Sequence, residues 1–281
     1  MILAIILLLI GAELLYSNYY LTSSYYSFSS DKINGSFRIV FLADLHGREF
    51  GKSNSRLLAK IEKEHPDLIC LVGDIFNSNS DPNEITAMCD FIRVATDIAP
   101  VYFSLGNQDA SYIREYGPGL LEQVNATGAI VLDNSYIDLT MNGTAVRIGG
   151  YMGYYRTPHM NTSDPTEQQQ LSTFAIDFEN SDCLKILLNH IPTNWLDWEY
   201  RNTYAVDLVL SGHYHGGVIR IPILEQGLYA PYVGKFPPYT KGMFVGKTAT
   251  CVLTTGLAGS YGSPRIFNPP EIVVIDLAKT K

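Results

Sequence analysis

The amino-acid sequence predicts an α/β domain behind an apolar N-terminal segment, on three observations. From Phe37 onward, short apolar runs alternate with longer stretches of helix-like spacing. Polar blocks follow the ends of several of those runs. Met1 to Gly11 is free of charge and rich in Leu and Ile.

Taken in order, the apolar run extends through Ala12, Leu14, Leu15 and Tyr16 around a single acidic residue, Glu13. Residues 1–21 reach the ~20 residues that span a bilayer if Glu13 and the aromatic end sit near an interface. The segment therefore reads as a transmembrane or signal-anchor segment. A cleaved signal peptide is the alternative, disfavoured by the missing basic stretch before the apolar run and the missing small-x-small site after it. The first reading places the protein at the cell membrane with its domain extracytoplasmic, and the second secretes it. Residues 22–36, rich in Tyr and Ser, read as a tether, and 37–281 as the globular domain.

Within that domain the predicted strands are Arg38–Ala43, Leu68–Val72, Val101–Leu105, Ala145–Gly149, Leu184–Leu188, Leu208–Leu210, Ala249–Leu253 and Ile272–Ile275. The predicted helices are Ser55–Glu64, Glu84–Asp97, Ser111–Val124, Thr166–Phe178 and Thr193–Tyr200. A chain of 281 residues suits one substantial core with an appendage. The net charge of −8, with no basic run, argues against nucleic-acid binding. Cys70, Cys89, Cys183 and Cys251 form no C-x-x-C pair; Cys70, Cys183 and Cys251 lie in or beside strand-like runs and read as buried, inert thiols.

Five polar blocks carry the chemistry: A-D-L-H-G with Asp44 and His46, V-G-D-I-F with Asp74, L-G-N-Q-D with Asn107, Gln108 and Asp109, L-N-H-I-P with His190, and S-G-H-Y-H-G-G with His213 and His215. Asp44, Asp74, Asn107 and His190 each fall close to the carboxyl end of a predicted strand. Loops leaving those ends converge on one crevice in open α/β sheets, so distant residues meet around one ligand. Alternation across Leu45 and across Tyr214 sets each ligand pair on one face of an extended segment. Carboxylate, amide oxygen and imidazole together suit zinc, manganese or iron. Singly, Asp74 and Asp109 read as helix caps, Asn107 as a turn residue, and His46 and His190 as core histidines. Their conjunction at successive strand ends reads as a metal site.

The ordered blocks resemble those of the calcineurin-like metallophosphoesterases, D-x-H, G-D, G-N-H-D/E, a lone H and G-H-x-H, over most of residues 38–276. Gly216–Pro222, Gly227–Pro231 and Asn268–Ile272 are similar to a bacterial membrane-anchored branch that includes cell-envelope phosphatases and UDP-diacylglucosamine pyrophosphatases. The resemblance implies a four-layer αββα sandwich of two mixed sheets and two divalent metal ions, manganese, zinc or iron. It implies that Asp44, His46 and His215 hold one metal, that Asn107, His190 and His213 hold the other, and that Asp74 bridges them. A bridging hydroxide would then serve as nucleophile. Asn107, Gln108 and Asp109 make up the catalytic block.

One position departs from the pattern. Gln108 stands where the family carries the histidine held to protonate the leaving group. An amide donates a hydrogen bond but is no acid, so the departure predicts a bias toward good leaving groups. Arg48, His159 and Arg265 are candidate substrate-binding residues. The function expected is hydrolysis of a phosphoester or pyrophosphate bond at the membrane surface, in a phosphorylated small-molecule or lipid-linked substrate. The alternative is a metal-binding sensor or scaffold whose catalysis the glutamine has weakened.

Overall fold

β2 (Phe37–Leu42) reads F-R-I-V-F-L and sorts its side chains between two cores: Phe37, Ile39 and Phe41 into one, Val40 and Leu42 into the other. A strand covered on both faces needs no polar alternation. β3 (Leu68–Val72), β4 (Val101–Ser104), β8 (Leu184–Leu188), β9 (Leu208–Ser211) and β15 (Thr250–Leu253) are buried throughout in the same way.

In the computed structural model, which describes residues 1–259 and 263–281, these strands belong to two six-stranded sheets. The first runs β1 (Thr22–Ser29), β16 (Glu271–Ala278), β2, β3, β4, β5 (Ile130–Leu132). Only its β16–β2 pairing is antiparallel. The second runs β14 (Gly242–Val245), β15, β9, β8, β7 (Thr144–Gly150), β6 (Ser135–Met141), antiparallel at both outer pairings. Four two-residue strands form two small hairpins: β10 (Arg220–Ile221) with β11 (Gln226–Gly227), and β12 (Tyr229–Ala230) with β13 (Gly234–Lys235).

The sheets pack face to face, Phe41, Val72 and Ile275 of one meeting Ile148, Ile186 and Leu210 of the other. On the outer face of the first lie α2 (Ser55–Lys63), α3 (Pro82–Ile98) and α5 (Gly119–Asn125), with Leu57, Ile92 and Val124 inward. α6 (Pro165–Glu179) covers the second through Leu171, Phe174 and Phe178. α3 and α6 open alike: Asp81 and Asp164 accept hydrogen bonds from first-turn backbone N–H groups, each followed by proline at the first helical position. The predicted helix Ser111–Val124 is two, α4 (Asn107–Tyr116) and α5, parted at Gly117 and Pro118. Thr193–Tyr200 likewise divides into two single turns, α7 (Thr193–Leu196) and α8 (Trp198–Arg201). Cys183 is half-buried, whereas the other three cysteines are buried.

The expected tether is the main correction. Thr22–Ser29 is a strand, parallel to β16 and in register from Thr22–Glu271 to Ser29–Ala278. Its Tyr26 and Phe28 pack against the core between the sheets. Tyr and Thr favour strands, and the period-two spacing of these aromatics outweighs the linker-like serine content.

Ahead of β1, α1 (Ile2–Tyr19) is long and apolar enough to cross a membrane by length and composition. Its first half, Ile2 to Ile10, projects from the domain with every Leu and Ile there 47–74% exposed. Its second half is docked. The Glu13 carboxylate accepts the Phe267 N–H at 2.6 Å, Ser17 Oγ accepts the Asn268 N–H at 3.0 Å, and Asn18 exchanges two hydrogen bonds with the Arg265 backbone.

Glu271, at the head of β16, ties the sheets together. Its buried carboxylate accepts from Ser24 Oγ at 2.5 Å, Lys241 Nζ at 2.5 Å, Thr254 Oγ1 at 3.1 Å and the Thr255 N–H at 2.8 Å. Burial alone would raise its pKa, but Lys241 and the hydroxyl and amide donors outweigh burial and hold it below the ordinary glutamate value. Its stabilising effect is therefore complete above about pH 4.3 and is lost as pH falls through the depressed folded value. Glu271→Ala should lower unfolding free energy in urea by about 3–5 kcal/mol at pH 7. The difference from wild type should shrink on acidification below pH 4, and a cost independent of pH would contradict this account.

Candidate metal centre

Every strand that delivers a site residue is followed by a tight turn. Asp44 and His46 leave β2, Asp74 leaves β3, Asn107 starts α4 after β4, His190 follows β8, and His213 and His215 follow β9. Asp44, His46, Asp74, His213 and His215 all have positive φ, between 46° and 72°. The paired ligands thus share a side through left-handed turns, where an extended segment was expected. Such backbone is costly for residues other than glycine and gathers at functional sites. Gly106 permits a close crossing: a Cβ there would lie 2.2 Å from Asp74 Oδ1.

Two clusters result. Asp44, His46 and His215 form one and Asp74, His190 and His213 the other, the ligand atoms of each lying within 4.8 Å of one another. Asp44 Oδ1 is 3.9, 3.7 and 3.6 Å from the Nε2 atoms of His46, His190 and His215. Asp74 Oδ2 is 3.2 Å from His190 Nε2 and 3.7 Å from His46 Nε2. Each carboxylate therefore faces both clusters.

The remaining ring nitrogens are held from behind. Nδ1 of His46 faces Asn77 Oδ1 at 3.1 Å, that of His190 faces the Val72 carbonyl at 2.8 Å, and that of His215 faces the Ala258 carbonyl at 3.2 Å. With Nδ1–H donating to those oxygens, each Nε2 is turned inward toward the carboxylates, the usual outer arrangement of a metal-binding histidine. Nε2 of His46, His190 and His213 and Oδ1 of Asn107 are buried with no hydrogen-bond partner among the described residues. Buried polar atoms are nearly always satisfied, so three orphaned imidazole nitrogens grouped with two carboxylates, and an orphaned amide oxygen on a residue lining the same cavity, fit cations.

Electrostatics agree. Burial, aided by the charge of His190, pushes the His213 imidazole down to about 3; burial, aided by Arg265, pushes His215 down to about 4. Both are neutral imidazoles with a free lone pair. Burial likewise lowers His46 and raises the Asp44 carboxyl. Asp74 and His190 resist burial by holding each other charged, the carboxyl below and the imidazole above its ordinary range.

The sequence profile of the calcineurin-like phosphoesterases matches residues 37–217. The chain belongs to that family. Its chemical class is accordingly that of the phosphoester hydrolases. An uncharacterised metallophosphoesterase of Campylobacter jejuni is 28% identical over 87% of this chain, which spans 60% of that relative's length. Phosphodiesterase YaeI of Escherichia coli is 26% identical over 86% of this chain and 82% of its own. Among solved structures, the Thermus thermophilus sulfate thiohydrolase SoxB aligns with TM-score 0.50 at 14% identity, over 87% of this chain and 57% of its own, a likeness of fold.

Three predicted roles in this phosphoesterase change. Asp109 is fully buried behind the centre, its carboxylate accepting the N–H groups of Asp74 at 2.7 Å, Gly106 at 2.8 Å and Phe76 at 3.0 Å. It positions two ligand loops and does not face the cavity. Arg265 is also wholly buried, its guanidinium donating to the carbonyls of Asn268 (2.6 Å), Ala258 (2.6 Å) and Thr255 (2.8 Å). With its donors committed to backbone, it is a structural clamp and not a substrate ligand. His159 is exposed on the single turn Pro158–Met160 and is not among the described residues lining the cavity.

Arg48 and Gln108 do line a cavity of about 1220 Å³ that opens over the two clusters. Gln108 donates its backbone N–H to Asp74 Oδ1 at 2.8 Å. Arg48 lies over the rings of Tyr19 and Phe50 and donates to the Asn18 carbonyl. Sequence reading missed Asn77, which braces both the His46 ring and, through Nδ2 at 2.8 Å, its carbonyl. It also missed the wall formed by Gly11, Leu14, Leu15, Asn18 and Tyr19 of α1. The visible signal that α1 docks was its three polar residues Glu13, Ser17 and Asn18, the first two four residues apart, on a helix otherwise of apolar and aromatic residues.

Because Asp109 aligns two ligand loops, Asp109→Asn should weaken manganese binding by roughly 10–100-fold in calorimetric titration. It should also cost about 1–3 kcal/mol of stability, since an amide cannot accept all three N–H groups. Unchanged metal affinity would contradict the positioning role.

Proposed function

We propose that the phosphoesterase hydrolyses a phosphoester with a good leaving group at a membrane surface, using two divalent metals, manganese, zinc or iron. The observation that carries this reading is the pair of three-residue clusters that share two carboxylates. Asp44, His46 and His215 would hold one ion, and His190, His213 and Asn107 the other, with Asp74 between them. Metals so held supply an activated water and neutralise charge on phosphate oxygens during in-line displacement. Water forms the new bond to phosphorus, the bond to the leaving group breaks, and the proton released from water ends on the departing oxygen.

The chain's own residues do the rest. Asp109 and the left-handed turns keep the ligands from shifting as charge moves, which makes the site preorganised for the transition state. Gln108, on the first turn of α4 at the cavity wall, offers amide hydrogens to the leaving oxygen but no proton. Similarity to a relative named a phosphodiesterase supports a diester as substrate. The apolar first half of α1 supports attachment to a membrane.

Asp74→Asn should lower kcat/KM for p-nitrophenyl phosphate by more than the ~10–100-fold that follows loss of a metal's outer partner. Metal binding by wild type without turnover of any ester would instead favour a scaffold. Wild type should cleave the aryl ester at least about 100-fold faster than an alkyl phosphate. Gln108→His should raise alkyl hydrolysis about tenfold or more and leave aryl hydrolysis within about threefold. Equal aryl and alkyl rates in wild type would refute the leaving-group bias.

A further inference from the structure

We infer that Tyr232 is a positioning residue for the metal ligand His213, its ring doing for that imidazole what a hydrogen-bond acceptor does for the other three. The inference rests on the two-metal reading above and adds that one of the two metals depends on the β12–β13 hairpin.

His213 stands apart among the site histidines. Nδ1 of His46, His190 and His215 each faces an oxygen behind the ring, at 3.1, 2.8 and 3.2 Å. The His213 backbone N–H reaches both Asp44 carboxylate oxygens at 3.1 Å, but its ring makes no hydrogen bond among the described residues. The outer torsion of a histidine is broad, so without such a partner the plane of this ring is set by packing.

Tyr232 supplies that packing. Its ring and that of His213 are 5.3 Å apart between centroids and inclined by 11°, the offset stacking that aromatic pairs prefer. His190, already held by the Val72 carbonyl, meets the His213 ring nearly at right angles, 5.2 Å away. A parallel ring and a perpendicular ring together leave the imidazole one plane. Behind Tyr232 stands Tyr154, 6.4 Å away at 65°, its own backbone N–H fixed on Asn161 Oδ1 at 2.7 Å.

The hairpin holds Tyr232 there against local preference. Val233 donates its N–H to the Ala230 carbonyl at 3.2 Å, closing a turn with Pro231 second and Tyr232 third, and Tyr232 has a φ of 61°. Proline second with positive φ third is the pattern of a type II turn, whose third position favours glycine or asparagine. A bulky residue in left-handed backbone is an outlier. Burial does not offset the cost, because Tyr232 is 71% exposed. The ring's contacts are with His213 and Tyr154, and strained backbone of this kind gathers at functional sites. The root of the hairpin is firm. Ala230 is buried in one cluster with Tyr214, next in sequence to His213, and the Leu228 N–H faces the carbonyls of Gly217 and Ile219. The tip is thereby tied to the loop that carries the ligand.

The test is manganese titration of the whole 281-residue chain in detergent micelles, read by calorimetry and by electron paramagnetic resonance, which separates a lone ion from a coupled pair. Tyr232→Gly removes the ring and suits the turn, so the fold should be kept. It should weaken one manganese by about tenfold, within the range for a stacked aromatic pair and at the low end for a ligand's outer partner. The other manganese should stay within about twofold. At a metal concentration where wild type shows the coupled pair, the variant should show the lone ion. Tyr232→Phe keeps the ring and should keep both affinities within about twofold, since the hydroxyl makes no hydrogen bond among the described residues. With saturating manganese, kcat of Tyr232→Gly for p-nitrophenyl phosphate should return to within about threefold of wild type. Tyr232→Asn, which also suits positive φ, gives the same reading should the glycine variant not fold. Both affinities unchanged, both weakened alike, or KM raised with metal affinity intact would overturn the positioning role. Wild type that binds one manganese or none would defeat the two-metal reading and this inference with it.

Discussion

Two buried carboxylates facing four imidazoles set the terms for the rest of this structure. Asp44 and Asp74 come from adjacent strands of one sheet, while His190, His213 and His215 come from the other. Bringing Asp44 Oδ1 within 4 Å of three Nε2 atoms places the centre across the seam between the sheets. Without a cation, such a cluster of buried polar atoms is costly. With one, the same contacts join the two halves of the sandwich. Left-handed backbone at five ligands is tolerated because Asp109, Gly106 and the Nδ1 acceptors hold the loops in place.

The same constraint reaches outward to α1. The turn that follows β15 returns the Leu257 and Ala258 N–H groups to the Ala43 and Asp44 carbonyls, and the Ala258 carbonyl faces His215. Arg265 grips that turn through Ala258 and Thr255, and its backbone holds Asn18. A continuous set of hydrogen bonds therefore links the Asp44 and His215 cluster to the apolar helix. Because the contacts that shape the centre also dock α1, the segment outside the domain in sequence is inside the site in space.

Much of this was legible in the sequence. The apolar runs located the central strands, since strands covered on both faces must be apolar, and the ligand blocks at their ends marked the crevice. β1 was not legible, because its serines face hydrogen-bond partners such as Glu271 and Glu64 that lie far away in the chain. Asp109 and Arg265 were misread for a related reason. A charged residue beside a polar block can serve substrate or backbone, and only the folded chain reveals three N–H groups around one and four carbonyls around the other. Geometry was misjudged at Asp44 and His46, where the side chains share a side through positive φ instead of strand alternation.

The central claim is that these residues hold two metals, and anomalous diffraction from crystals grown with manganese tests it most directly. The account predicts two manganese peaks about 3.5–4 Å apart, one beside Asp44, His46 and His215, the other beside His190, His213 and Asn107, with Asp74 between them. A single peak, or density away from these ligands, would contradict it.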